Sequence, residues 1–279
     1  MATTTSLNIA FIGGGNMASA LIAGLLAKGQ PTTLLHVVET DAEKLADFHA
    51  QGLNTYNASN IDDTKHAIEK ADVVVLAVKP QVMKDVLLPV KDSWGEQVVI
   101  SIAAGIGTDS LAEWLGPQVK LVRAMPNTPA MIQMGATGLY ATAAVSEAEQ
   151  QLAQQVMSAA GLVLWVNDED LLHAVTAISG SAPAYFFYML ENMIATGEKL
   201  GLTQTQATAL AMQTALGSAQ MALTSHDTPA ELRRKVTSPN GTTQAAIEVM
   251  DGKKMHQIIA DAMLACEQRS RELSQAFGK

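Results

Sequence analysis

Short runs that are apolar or nearly so recur through residues 1–166, and most are followed by a segment of helical spacing or a glycine-rich turn. The runs are 7–12, 34–38, 73–78, 98–102 and 119–123, and the helical segments include 17–28, 42–51 and 61–70. A strand with one face in water alternates apolar and polar residues; a strand covered on both faces does not. Apolar strands separated by helices therefore predict a parallel sheet with helices on both sides. Weaker strand signals at 138–141 and 162–166 bracket a helix at 146–160.

From residue 167 onward the pattern changes to helices alone, expected at 169–178, 184–200, 204–224, 231–237, 242–250 and 256–277. The chain thus reads as an α/β domain over 1–166 followed by an all-α domain over 167–279. The segment 184–200 carries Tyr185, Phe186, Phe187, Tyr188, Met189, Leu190, Met193 and Ile194. A helix apolar on most faces is expected to be buried all round. A small helical domain can hardly bury it alone, so a second subunit is the expected cover.

The first strand runs into Gly13-Gly14-Gly15-Asn16-Met17-Ala18, in which Gly13, Gly15 and Ala18 fill the pattern G-x-G-x-x-[GA]. The first glycine makes a tight turn, the second admits a pyrophosphate to the backbone, and the small third residue lets helix pack on strand. The motif follows an apolar strand and opens a helix, which is the context that gives it meaning. It predicts a Rossmann-like, doubly wound sheet that binds a dinucleotide. Glu39 closes the second run, where a carboxylate accepts from the adenosine ribose of NAD and repels the 2′-phosphate of NADP.

Three further segments leave successive strands at their expected carboxyl ends: Ala77-Val78-Lys79-Pro80, Ala103-Ala104-Gly105 and Met125-Pro126-Asn127-Thr128-Pro129. Open α/β sheets bind ligands at that edge. In the helical half, Ser179-Gly180-Ser181-Ala182-Pro183 is similarly rich in small residues. Glu169, His173 and Thr176 fall on one helical stripe, either a solvated face or one wall of a site. No third ligand accompanies Glu169 and His173, so no metal is expected. Ser238-Pro239-Asn240-Gly241-Thr242-Thr243 precedes a helix, with Ser238 or Asn240 suited to capping it. The N–H groups of Gly241, Thr242 and Thr243 would there be available to an anion such as a substrate carboxylate.

The formal net charge is −9, and there is no run of Lys and Arg. That excludes the electrostatic footprint of nucleic-acid binding and gives no support to membrane binding. No apolar run suggests a membrane span, and the first residues lack the pattern of a secretion signal, so a cytoplasmic location is expected. The single cysteine, Cys266, cannot form an internal disulfide and reads as a core or interface residue.

The blocks FIGGGNM, AVKP, SIAAGI, RAMPNTPA, AISGSAPAYFF and RRKVTSPNGTTQAAIEVM, in this order and spacing, resemble Δ1-pyrroline-5-carboxylate reductases over about residues 8–273. The resemblance implies reduction of pyrroline-5-carboxylate to L-proline by NADPH or NADH, and an all-α dimerisation domain. It implies a cofactor site at Ile12, Gly13, Gly14, Gly15, Asn16 and Met17, at Asn60, at Ala77, Val78, Lys79 and Pro80, and at Ala103, Ala104 and Gly105. It implies a substrate site using Glu169, Thr242 and Thr243, with Ser238 and Gly241 framing the carboxylate. It also implies a homodimer, with dimers assembled into decamers. Our candidate for the hydroxyl at the imine nitrogen, the catalytic position, is Thr243. Ala182 departs from the family's usual glycine in SGSGPAY.

Two rival readings remain at this point. A β-hydroxyacid dehydrogenase shares the order of halves but needs a lysine on the helix after the boundary, and none stands between Asn167 and Lys199. A non-catalytic dinucleotide sensor accounts for the glycine loop and leaves SPNGTT unexplained.

Overall fold

The computed structural model describes residues 7–278. The first half alternates as expected: β1 (Ile9–Ile12), α1 (Asn16–Ala27), β2 (Leu35–Glu39), α2 (Ala42–Ala50), β3 (Asn54–Asn57), α3 (Ile61–Lys70), β4 (Val73–Leu76), α4 (Pro80–Leu87), β5 (Val98–Ser101), α5 (Thr108–Leu115) and β6 (Lys120–Met125). After β7 (Gly135–Ala141) come α6 (Glu147–Met157) and β8 (Gly161–Trp165). The eight strands form one sheet in the order β3-β2-β1-β4-β5-β6-β7-β8.

Both faces of this sheet are covered, as the unbroken apolar runs require. Ile9, Phe11, Val73, Val75 and Ile100 pack with Leu21 and Ile22 of α1 and Val156 and Met157 of α6. Ala10, Ile12, Val74, Leu76 and Val99 pack on the other side with Ile68 of α3, Met83 and Leu87 of α4, and Leu111 of α5.

Three features differ from the sequence reading. β3, Asn-Thr-Tyr-Asn, was not anticipated; it is a half-exposed edge strand without an apolar run. The sheet is not wholly parallel, because β7 runs antiparallel to β6. Their connection holds only a 3-10 turn, Thr128–Ile132, which is too short for a crossover helix. Finally, the helix expected at 169–178 is two pieces: α7 (Leu171–Val175) and a π-turn, Thr176–Gly180. Glu169 therefore precedes the helix instead of sharing a stripe with His173.

The rest is helical: α8 (Ala182–Lys199), α9 (Gln204–Thr224), α10 (Pro229–Lys235), α11 (Thr242–Gly252) and α12 (Met255–Phe277). Strands end with β8 among the described residues, near the expected boundary at Val166. Compactness divides the chain elsewhere. One unit runs to Ser181 and resumes at Cys266; the other is Ala182–Ala265. In the second unit α8 is not buried all round. Phe186, Phe187 and Tyr188 are 62%, 64% and 68% exposed, and Leu210 and Leu216 of α9 are open as well. No helix among the described residues is long and apolar enough to cross a membrane.

Helix α1 is seated by Gly24. A Cβ built there would stand 2.1 Å from the carbonyl oxygen of Ala159. Alanine is intrinsically about 1 kcal/mol better than glycine inside a helix. The collision with a backbone atom outweighs that gain. Gly24→Ala is expected to destabilise the protein by about 1–3 kcal/mol, in the range of overpacked cores. A melting temperature at or above that of the wild type would show that α1 can shift freely.

Candidate active site

Where the sheet order turns back on itself, β1 and β4 leave the sheet side by side. The Gly13 N–H donates to the Val38 carbonyl at 2.8 Å, and the Ala77 N–H donates to that of Ile12 at 2.8 Å. Gly13 has φ +103°, and a Cβ there would lie 2.9 Å from backbone atoms of Ala77 and Val78. Both facts require glycine. Gly15 is different. It caps α1 without a side-chain hydrogen bond, at φ −75°, and nothing lies within 4 Å of a built Cβ. The fold does not need glycine at that position, whereas a pyrophosphate approaching the open N–H groups of Asn16 and Met17 does. Ala18 is fully buried and sets the helix on the sheet.

Glu39 ends β2 beside this loop. Its Oε2 accepts from the Gly14 N–H at 2.9 Å, and Oε1 accepts from the Thr40 and Asp41 N–H groups at 2.7 and 3.2 Å. Burial pushes its pKa up, but these bonds and one from the Thr40 hydroxyl outweigh that and hold it below the ordinary glutamate value. Asn60 caps α3, accepting from the Asp62 N–H at 3.1 Å and donating to Asp63 at 3.0 Å. Val78 and Lys79 lead to Pro80 in the first turn of α4. Ala103 and Ala104 lead to Gly105, whose φ is +77° and whose missing Cβ would meet the Phe277 ring at 3.0 Å.

A polar cleft of about 470 Å³ lies in the same unit, lined by Gly107, Arg123, Tyr140, Glu169, His173 and Ser274 among others. Glu169 Oε1 accepts from the Thr108 N–H at 2.7 Å and Arg123 Nη1 at 2.7 Å, and Oε2 accepts from the Thr108 hydroxyl. A side chain from beyond β8 thus caps α5, which has no side-chain cap of its own. Burial works to raise the pKa of Glu169; the bonds from Thr108 and Arg123 prevail and lower it. His173 is buried, with Nδ1 2.8 Å from the Ser270 hydroxyl, and burial lowers its pKa. In sequence Arg123 only opens the RAMPNTPA block, and no spacing signals its ion pair with Glu169.

In the second unit, α11 begins at Gly241, at φ −87° and ψ 171°, with no side-chain cap. Neither Ser238 nor Asn240 caps it, contrary to expectation. Asn240 adopts a left-handed conformation, φ 57°, and its N–H donates to the Gln244 side chain at 2.7 Å. The Gly241 N–H is also used, donating to the Ser238 carbonyl at 3.1 Å. That leaves Thr242 and Thr243, both exposed, at the start of an uncapped helix.

Residues 169–273 match the family model for pyrroline-5-carboxylate reductase dimerisation, and residues 8–105 match that for NADP oxidoreductase, coenzyme F420-dependent. The chain is 48% identical to a pyrroline-5-carboxylate reductase of Pseudomonas aeruginosa, covering 97% of this chain and 98% of that one. The chain belongs to the pyrroline-5-carboxylate reductase family. Among solved structures it is similar to the family member from Coxiella burnetii, with TM-score 0.91 and 41% identity over 97% of this chain and 99% of that one. It is also similar to a Plasmodium falciparum pyrroline carboxylate reductase with NADP bound, with TM-score 0.84 and 25% identity over 96% and 98% of the two chains.

In this member of the pyrroline-5-carboxylate reductase family, Glu169 makes stability depend on acid pH. Its folded pKa lies below the ordinary 4.5. Unfolding therefore takes up protons below 4.5, so the stabilisation is complete above that pH and is lost as pH falls through the folded value. Glu169→Gln is expected to cost about 1.5–3 kcal/mol at pH 7, the range for bonds to a charged group. The gap between variant and wild type in urea midpoints should narrow as pH drops below 4.5. A gap independent of pH would remove the ionised carboxylate from the account.

Proposed function

We propose that this chain reduces the C=N bond of Δ1-pyrroline-5-carboxylate to give L-proline, using NADPH or NADH, in the cytoplasm. The observation that carries the substrate end is the uncapped start of α11, where two threonines accompany free N–H groups. The observation that carries the cofactor end is Gly15, whose missing side chain leaves room for a ligand that the fold itself does not demand. In functional terms residues 1–166 form the dinucleotide-binding domain, and 167–279 form the substrate-binding and oligomerisation domain.

In this reading the N–H groups of Gly15, Asn16 and Met17 donate to the pyrophosphate, and Glu39 accepts from the ribose. Ile12, Gly13, Gly14, Asn60, Ala77–Pro80 and Ala103–Gly105 shape the rest of the cofactor's bed. When bound, the nicotinamide supplies a hydride to the imine carbon. The chain's own task is orientation and electrostatics. The Thr242 and Thr243 N–H groups donate to the substrate carboxylate, with Ser238 and Gly241 framing it. The Thr243 hydroxyl meets the imine nitrogen, which carries its proton before the carbon is reduced, because a protonated C=N is the better electrophile. Glu169 holds the polar cleft, its oxygens already engaged by Thr108 and Arg123. Positioning of two bound rings supplies much of the acceleration.

The open apolar faces of α8 and α9 support a homodimer, and the family resemblance implies assembly of dimers into decamers. Light scattering at assay concentration is expected to give a dimer or larger; a fully active monomer would contradict this.

A steady-state assay with pyrroline-5-carboxylate and each cofactor tests the reaction itself. Thr243→Ala should lower kcat/KM for the imine about tenfold to a hundredfold, the equivalent of one hydrogen bond to a charged or charge-developing group. Cofactor affinity should hardly change. Gly241→Val should lose more. Its backbone angles suit any residue, but a Cβ would stand 3.1 Å from the Ser238 carbonyl and crowd the carboxylate's approach. Unchanged kinetics in Thr243→Ala would remove the hydroxyl from the mechanism.

A further inference from the structure

The last turns of α12 belong to the first unit. Ser270, Leu273, Ser274 and Phe277 follow one another at i, i+3, i+4 and i+7, a single helical stripe. The Ser270 hydroxyl lies 2.8 Å from Nδ1 of His173, and next to it the Arg271 guanidinium pairs with Asp170 at 2.6 Å. Leu273 and Phe277 lie over Gly105. A Cβ built on that glycine would stand 3.0 Å from the Phe277 ring and 3.5 Å from the Leu273 Cβ. Phe277 also packs against the core cluster that contains Ala103, Ile106 and Leu111. Just beyond it, the Gly278 carbonyl accepts from the Ser110 hydroxyl of α5 at 3.1 Å.

The loop between β5 and α5 therefore has a sealed side and an open one. Ala103, Gly105 and Ile106 are buried, whereas Ala104 is exposed. Glycines at 105 and 107 give this loop little conformational preference of its own, and ordering glycine costs more entropy than ordering any other residue. It is held at two points: by Glu169 on Thr108, and by the α12 stripe on Gly105, whose φ is +77°. The order of the strands relates the loop to a dinucleotide. Glu39 on β2 marks the adenosine side and the glycine loop after β1 the pyrophosphate, so the loops after β4 and β5 fall on the nicotinamide side.

We propose that Phe277 is a positioning residue for the nicotinamide half of the cofactor. Its ring presses on Gly105 from outside and keeps the loop in the shape that receives that half on the open side, at Ala104. The inference rests on the dinucleotide reading of the glycine loop. Without the ring the loop samples other conformations, and apparent affinity falls with the fraction that remains competent. By reciprocity, a cofactor that favours the held loop favours the docked end of α12.

The test titrates the full chain with NADH and with adenosine 5′-diphosphate, which has the adenosine and both phosphates but lacks the nicotinamide half. Phe277→Ala is expected to weaken NADH binding about fivefold, a competent fraction of about one fifth, and to leave the diphosphate within about twofold of wild type. Phe277→Leu, which still covers Gly105, should recover most of the loss, and the KM for the imine at saturating NADH should not change. In the unsubstituted chain NADH, and not the diphosphate, should slow deuterium uptake over residues 270–278; this arm does not depend on a variant that folds. Unchanged NADH binding in Phe277→Ala, equal weakening of both nucleotides, or no slowing of exchange by NADH would overturn the proposal. If neither nucleotide binds the unsubstituted chain, the dinucleotide reading falls, and the proposal with it. The contrast between the two nucleotides supports the proposal whether or not the imine is reduced.

Discussion

The candidate cofactor site depends on a close approach of two backbones. β1 lies between β2 and β4, and the loops that follow β1 and β4 leave the sheet at the same edge. Gly13 can turn there only because it has no side chain: its φ is +103°, and a Cβ would sit 2.9 Å from Ala77 and Val78. The contact fixes the start of α1 relative to the loop Ala77–Pro80. Two segments expected to meet the same ligand are thus held by one missing methyl group. This is the physical content of a crevice at the point where strand order reverses.

Much of this half was legible because burial on both faces leaves a plain mark on sequence. Runs such as Val73–Leu76 have no polar residue to hide their period, and their strands lie where expected. β3 left no such mark, since an edge strand of Asn, Thr, Tyr and Asn obeys hydrogen bonding more than burial. The role of Glu169 was illegible for another reason. Its partners Thr108 and Arg123 are far away in the chain, and no local spacing encodes a long-range cap. Glu39 is legible from its position at the end of the second run, whereas the Gly14, Thr40 and Asp41 N–H groups that hold its carboxylate come from two separate segments and leave no linear signature.

The apolar helix α8 illustrates the limit of periodicity. Apolarity on most faces says that those faces avoid water, but not what covers each of them. In the second unit Phe186, Phe187 and Tyr188 remain more than half exposed. Monomeric proteins rarely leave contiguous patches of that kind open. The sequence pattern is the same whether a face is buried within one chain or between two. The match of residues 169–273 to a dimerisation family bears on that choice, where composition cannot.

The motif blocks also acquire a second meaning from the fold. MPNTP and SGSAP read in sequence as separate ligand loops. Asn127 of the first donates to the Ser179 carbonyl of the second at 3.0 Å and accepts from the Ala136 N–H at 2.8 Å. Gly180 lies so close to Met125 that a Cβ would stand 2.6 Å from its terminal carbon. A buried asparagine with both ends engaged is a clamp, and the end of the Met125 side chain fills the space beside Gly180. It ties the end of β6 and the start of β7 to the π-turn that follows α7. Small and polar residues at these positions are explained first by this packing. A role toward ligand must then be argued from atoms left free, as at Thr242 and Thr243, and not from the motif alone.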